Sequence, residues 1–268
     1  MIFQIEYAAL CHTGFVRGKN QDNFWCANMF LRSENNGLPG MLAGMIDVST
    51  CPAFAIFDGM GGEQQGEMAA YIAASQFHTL LINRTQSDAR LFLLDTCTGL
   101  NRKICDYQKE NGIRQMGTTA AILLFGQEDV FICNIGDSRI YYYNSKKMTQ
   151  ISRDHSETGV IGRKPPLTQS LGIPETEFLI EPYVAKGAYN KGDRYLICSD
   201  GLTDMLSDKE ILNIITSRKT IPDVAKELMD TALNKGGVDN TTVILCEVQK
   251  QSRFSNNKRS GPDGARPT

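Results

Sequence analysis

Apolar positions along the chain follow two periods. Runs at 54–57, 118–125, 130–135, 140–143, 194–199 and 241–248 are nearly continuous in aliphatic, aromatic and cysteine residues, which predicts buried strands. Between the first two runs the period lengthens. Gly66-Glu67 leads into Met68-Ala69-Ala70-Tyr71-Ile72-Ala73-Ala74, an alanine-rich helix former, and predicts a helix over 66–82. A second helix is expected over 87–110, with Ser87 as N-cap, Leu91, Leu94, Thr98, Asn101 and Ile104 on one face, and Asn111-Gly112 as the stop. Ser207 and Glu210 fit a capping box that opens a short helix. Ile221-Pro222-Asp223 opens another, with Val224, Leu228 and Ala232 on a shared face and Gly236-Gly237 beyond its end. The stretch 14–25 mixes polar and charged residues, 33–39 reads as a loop, and 156–176 is turn-rich with no element assigned. Strands, then helices, then strands predict a single α+β domain over 1–248 with a large antiparallel component. The tail 249–268 carries five basic residues and one acidic, and reads as disordered.

Composition narrows the function classes. Twenty-eight basic against thirty acidic residues give a net charge of −2, which provides no electrostatic case for a nucleic-acid partner. No apolar run approaches membrane-span length, and the N-terminus lacks a basic n-region and carries Glu6, so neither a membrane nor a signal peptide is expected. The eight cysteines form no Cys-x-x-Cys pair and several sit in strand-like runs, which reads as reduced thiols in a cytoplasmic protein. Only three histidines exist, at 12, 78 and 155, so a zinc site is not expected.

The polar residues that end the strands carry the chemistry. The run at 54–57 stops at Asp58-Gly59, and 194–199 stops at Asp200-Gly201. Asp137 follows 130–135, Asp239 precedes 241–248, and Arg17-Gly18-Lys19-Asn20-Gln21-Asp22 stands near the N-terminus. Each junction alone reads as a capped turn. Gathered at one end of a sheet, the carboxylates would repel one another unless a cation sat among them. With histidine nearly absent, that points to manganese or magnesium on oxygen ligands. Two such ions about 4 Å apart can share and activate a water for in-line attack on a phosphate. Arg17 then supplies a bidentate phosphate clamp.

Six stretches in order resemble the metal-dependent protein phosphatase family, type 2C, in its bacterial form. They are Gly14-Phe15-Val16-Arg17-Gly18-Lys19-Asn20-Gln21-Asp22, Phe57-Asp58-Gly59-Met60-Gly61-Gly62 with Gly66-Glu67, Met116-Gly117-Thr118-Thr119, Gly136-Asp137-Ser138-Arg139, Cys198-Ser199-Asp200-Gly201-Leu202-Thr203-Asp204 and Asp239-Asn240-Thr241-Thr242. The resemblance implies an antiparallel β-sandwich with helices outside (α-β-β-α) and two Mn2+ or Mg2+ ions, with a weaker third. It implies that Asp58 bridges both ions with the Gly59 carbonyl on one of them, that Asp200 and Asp239 hold the other, and that Asp22 acts through bound water. Asp137 matches a residue for the third ion, and Arg17 matches the phosphate-binding arginine. The glycines after Asp58 are then expected to let backbone approach the metals.

Three departures from the pattern stand out. Gln21 replaces a glutamate common in the family, so the adjacent ion is expected to bind more weakly. Met60 stands where some eukaryotic members have a histidine proposed as general acid. The flap between Asp154-His155 and Thr168-Gln169-Ser170-Leu171-Gly172 is short, which bears on substrate choice.

Other readings compete. Cys11-His12-Thr13-Gly14-Phe15-Val16-Arg17 satisfies Cys-x-x-Gly-x-x-Arg, the loop pattern of cysteine-dependent tyrosine phosphatases, although Gly18-Lys19-Asn20 is a poor start for the helix that mechanism needs. A catalytically silent phosphoprotein-binding scaffold is a second alternative. A nucleotide-binding loop is disfavoured, because no Gly-x-x-x-x-Gly-Lys-Ser/Thr is present. The expectation is a cytoplasmic, monomeric serine/threonine phosphoprotein phosphatase, with phosphorylated proteins and a cognate serine/threonine kinase as partners.

Overall fold

A computed structural model describes residues 3–60, 65–145, 147–158 and 164–250. Gly61, Gly62, part of the flap and the tail beyond Lys250 lie outside the described residues. Among the described residues twelve strands form two antiparallel sheets. The first contains β1 (Phe3–His12), β3 (Leu42–Asp47), β8 (Arg139–Asn144), β9 (Lys147–Gln150), β11 (Arg194–Cys198) and β12 (Thr241–Lys250), in the order β3-β1-β12-β11-β8-β9. The second contains β2 (Asp22–Cys26), β4 (Ala53–Met60), β6 (Ala120–Phe125), β7 (Asp129–Ile135) and β10 (Tyr183–Ala188), in the order β10-β7-β6-β4-β2, with β5 (Gly117–Thr118) beside the end of β4.

Strands buried on both faces explain the near-continuous apolar runs. Along β4, Phe54 and Ile56 enter the core between the sheets, while Ala55 and Phe57 face the helices α1 (Gly66–Ile82) and α2 (Ala89–Asn111). Along β12, Ile244, Cys246 and Val248 join the inter-sheet core. Val243 and Leu245 face α3 (Asp200–Thr203), α4 (Asp208–Ile215) and α5 (Ile221–Asn234). The order of layers is therefore α-β-β-α, as the resemblance implies. Burying Phe57 alone contributes about 2–3 kcal/mol.

Helix ends follow local chemistry, with one correction. Ser207 and Glu210 form the expected capping box of α4, and the Thr220 side chain caps α5 at Asp223 N. The cap of α2 is Asp88 rather than Ser87, its carboxylate accepting from Arg90 N and Leu91 N. Phe92, Leu93, Cys97 and Leu100 are buried with Asn101 and Ile104, whereas Leu91 and Thr98 face water, because the face packed on the sheet is broader than the expected stripe and offset from it. β4 also runs on through Asp58 and Gly59 to Met60, rather than stopping at Asp58.

Antiparallel register places the polar junctions together. His12 at the end of β1 pairs with Thr241 at the start of β12, and Cys198 at the end of β11 pairs with Val243. Asp22 at the start of β2 pairs with Asp58, and Ala120 at the start of β6 with Ile135 at the end of β7.

Candidate metal and phosphate site

Asp22 and Asp58 face each other across β2 and β4 at the end of the sandwich where these junctions meet. Asp22 is 1 % exposed. Its Oδ2 accepts from the Ser199 hydroxyl at 2.8 Å and the Thr242 hydroxyl at 2.6 Å, while its Oδ1 is buried with no hydrogen-bond partner. Burial pushes the Asp22 carboxyl up to about 6, although both hydroxyls favour the charged form. Burial and the neighbouring charges of Asp22 and Asp137 raise Asp58 well above the usual carboxylate range. Asp137, in the turn between β7 and β8, is raised mainly by burial.

Two cations meet this acidic cluster. Arg17 Nε and Nη2 donate to the two oxygens of Asp239 at 2.8 and 2.6 Å. Lys164 Nζ contacts Asp200 Oδ2 and lies 3.4 Å from Asp204 Oδ2. Asp200 and Asp239, expected to share one ion, are thus each paired with a separate cation. Among the described residues no three His, Cys, Asp or Glu side chains are close enough together to hold an ion as they stand. The donors nevertheless suit a hard divalent cation: all are oxygens, the carboxyls of Asp22, Asp58 and Asp137 are raised by burial, and one buried oxygen on Asp22 has no partner.

Backbone packing around the cluster is tight. A Cβ on Gly59 would lie 2.2 Å from the Gly66 carbonyl oxygen and 2.6 Å from that of Gln21. Gly59 is therefore glycine so that the start of α1 can close on β2 and β4, a packing reason distinct from metal approach. The Gln21 amide donates to Glu67 Oε2 at 3.2 Å, and Lys19 pairs with Glu67 at 2.7 Å. Thr119 Oγ1 accepts from Asp58 N and lies 2.7 Å from Ser138 Oγ, and Thr118 Oγ1 donates to Asp58 O.

Residues 43–240 match the protein phosphatase 2C family, and this match covers more than half of the chain. The chain belongs to that family. A serine/threonine phosphatase from Listeria innocua is 32 % identical over 215 residues, covering 73 % of this chain and 84 % of the relative. One from Listeria monocytogenes is 31 % identical over 253 residues, covering 87 % and 92 %. The crystal structure of the catalytic domain of the serine/threonine protein phosphatase PstP, in complex with two manganese ions, is 28 % identical with a TM-score of 0.75, covering 92 % of this chain and all of that one.

In this 2C-family chain the cysteine-phosphatase pattern is a coincidence of spacing. Cys11 is a strand residue of β1 paired with Thr242, and it is 3 % exposed. Burial, then the Asp22 charge, push its thiol up to about 12, so no thiolate forms near neutral pH. Arg17 is turned to Asp239 instead. All eight cysteines are free. His155 clasps the β7–β8 turn, its Nδ1 accepting from Gly136 N at 3.1 Å. Trp25 packs edge-on against Phe77 in the core, and Tyr141 is buried in the layer under α4 and α5.

Four residues escape a reading of motifs alone. Ser199 and Thr242 hold Asp22, and both sit inside quoted motifs whose conspicuous residue is an aspartate. Asn240 accepts from Gln21 N and donates to Thr13 O and Lys19 O, tying the Arg17 loop to β12. Lys164, in a turn-rich stretch, carries no sequence signal at all.

Proposed function

We propose that this chain is a metal-dependent serine/threonine phosphoprotein phosphatase that hydrolyses phosphomonoesters by direct attack of water. The observation that carries this reading is the Asp22–Asp58 pair across β2 and β4, with a buried, partnerless oxygen on Asp22, beside an arginine-bearing loop. Two Mn2+ or Mg2+ ions would be held by Asp58, shared between them, by the Gly59 carbonyl for one and by Asp200 and Asp239 for the other, with Asp22 acting through water. Asp137 is the residue for a weaker third ion, and Gln21 offers only an uncharged oxygen. When bound, the ions would activate water and neutralise phosphoryl charge.

The chain's own groups do the rest. In this structure Arg17 places the expected bidentate fork on both oxygens of Asp239 through Nε and Nη2; a cation on Asp239 would compete with that pair and free the fork for a phosphate. Ser199 and Thr242 fix the orientation of Asp22, and Thr118 and Thr119 fix the main chain at Asp58. Met60 has no proton to give, so the departing serine or threonine oxygen takes its proton from water. The substrates are phosphorylated proteins, with a cognate kinase as a partner, and free thiols suit a cytoplasmic setting. Among the described residues no helix is long and apolar enough to cross a membrane.

The test is p-nitrophenyl phosphate hydrolysis with manganese, with chelator and after thiol alkylation, alongside Asp58→Asn and Cys11→Ser. Activity that needs manganese and Asp58 but survives alkylation and Cys11→Ser is expected. Activity that ignores chelator and dies with Cys11 overturns the proposal, and inactivity with every metal favours a silent scaffold.

A further inference from the structure

Phe15 and Val16, the two residues before Arg17, are 67 % and 68 % exposed, and Val238, directly before Asp239, is 42 % exposed. Single exposed apolar side chains are ordinary, but these three are tied together beside one guanidinium. Phe15 N donates to Gly237 O at 2.7 Å, and Arg17 closes the same junction through Asp239. The Phe15 ring stands edge-on to His12 at 5.7 Å, and a Cβ on Gly237 would come within 3.1 Å of its Cδ2. The ring is therefore held in place while most of its surface faces water.

We propose that Phe15, Val16 and Val238 form an apolar lip that binds the side chain flanking the phosphorylated serine or threonine of a protein substrate, and so selects apolar flanks. This rests on the phosphatase reading above. Continuity with the phosphate clamp argues for that occupant. Adjacent residues of an extended peptide are about 3.8 Å apart, so the neighbours of a phosphoresidue held by Arg17 stay within reach of the side chains that adjoin Arg17 in the chain. An apolar lip of this size discriminates by contact with one or two methyl groups, worth roughly tenfold in kcat/KM.

The experiment compares two phosphothreonine peptides that are identical except for leucine or asparagine on both sides of the phosphothreonine. Each is assayed with manganese against wild type, Phe15→Ser/Val16→Ser and Phe15→Leu, with p-nitrophenyl phosphate in parallel. Wild type is expected to favour the leucine peptide about tenfold, chiefly through KM. The double variant should bring that ratio near one, and Phe15→Leu should keep most of it. A ratio that is unchanged in the double variant overturns the lip. So does an equal loss on both peptides and on p-nitrophenyl phosphate, which would make the loop a support for Arg17. If wild type hydrolyses p-nitrophenyl phosphate but shows no flank preference, this inference alone falls. If it hydrolyses nothing, the phosphatase reading falls and takes the lip with it.

Discussion

Lys164 reaches into the acidic end of the sandwich, its ammonium in contact with Asp200 and 3.4 Å from Asp204. Its charge also favours the ionised forms of Asp22, Asp58 and Asp137. A divalent ion on Asp200 has to displace this ammonium, so lysine and metal compete for one carboxylate. Lys164→Met is expected to tighten manganese binding about fivefold by calorimetry, which corresponds to ~1 kcal/mol for a partly exposed pair. The same variant should unfold at lower temperature in chelator, where nothing replaces the lost charge. Unchanged or weaker manganese binding would refute the competition.

Asp58 is held among like charges and partly buried, so its ionised form is costly in the folded protein. Its pKa is raised on folding, and its charge therefore subtracts from stability as pH rises through the folded value. Asp58→Asn should raise the unfolding temperature by a few degrees in chelator at pH 7.5, and that gain should fade as pH falls toward the unfolded carboxylate range. With manganese, the same variant should lose about 100-fold or more in kcat/KM. A variant that is both less stable in chelator and fully active would remove Asp58 from the site.

The sandwich, the helix over 66–82 and the six motifs are legible because each depends on local pattern. β2 is harder to see. All five of its residues are buried, yet Asp22 and Asn23 head it; Asn23 and one oxygen of Asp22 find partners just beyond the strand or far along the chain, while the other Asp22 oxygen has none. The α2 face is only half legible: Asn101 and Ile104 are buried as expected, but Leu91, Phe92, Leu93 and Leu94 are all apolar near its start, and packing against the sheet decides which of them enter the core. Leu91 is left 48 % exposed beside the equally apolar Phe92 and Leu93, which are buried. Lys164 and Asn240 are invisible for a different reason: their value comes from contacts 36 to 227 residues away, which no local period encodes.

Asn240 spends its whole side chain on three main-chain groups of the 13–21 loop. Replacing it with alanine strands two carbonyls and one amide in a partly buried position. Asn240→Ala should cost about 2–4 kcal/mol in denaturant unfolding. Because Arg17 lies on the released loop, KM for phosphopeptide should rise more than kcat falls. Loss of stability without a change in KM would separate this hub from phosphate binding.

Gln21 faces Glu67, to which its amide nitrogen donates, and Lys19 holds the other oxygen of that glutamate. The family's more common glutamate at this position would set two carboxylates against each other with one exposed lysine between them. Gln21→Glu is therefore expected to destabilise the protein in chelator by about 0.5–1 kcal/mol. With a cation nearby the sign reverses, because the new charge attracts it. The thermal shift on adding manganese should then be larger for Gln21→Glu than for wild type. An equal or smaller shift would mean that position 21 does not sense the metal, and that glutamine here serves only to clamp Glu67 at the start of α1.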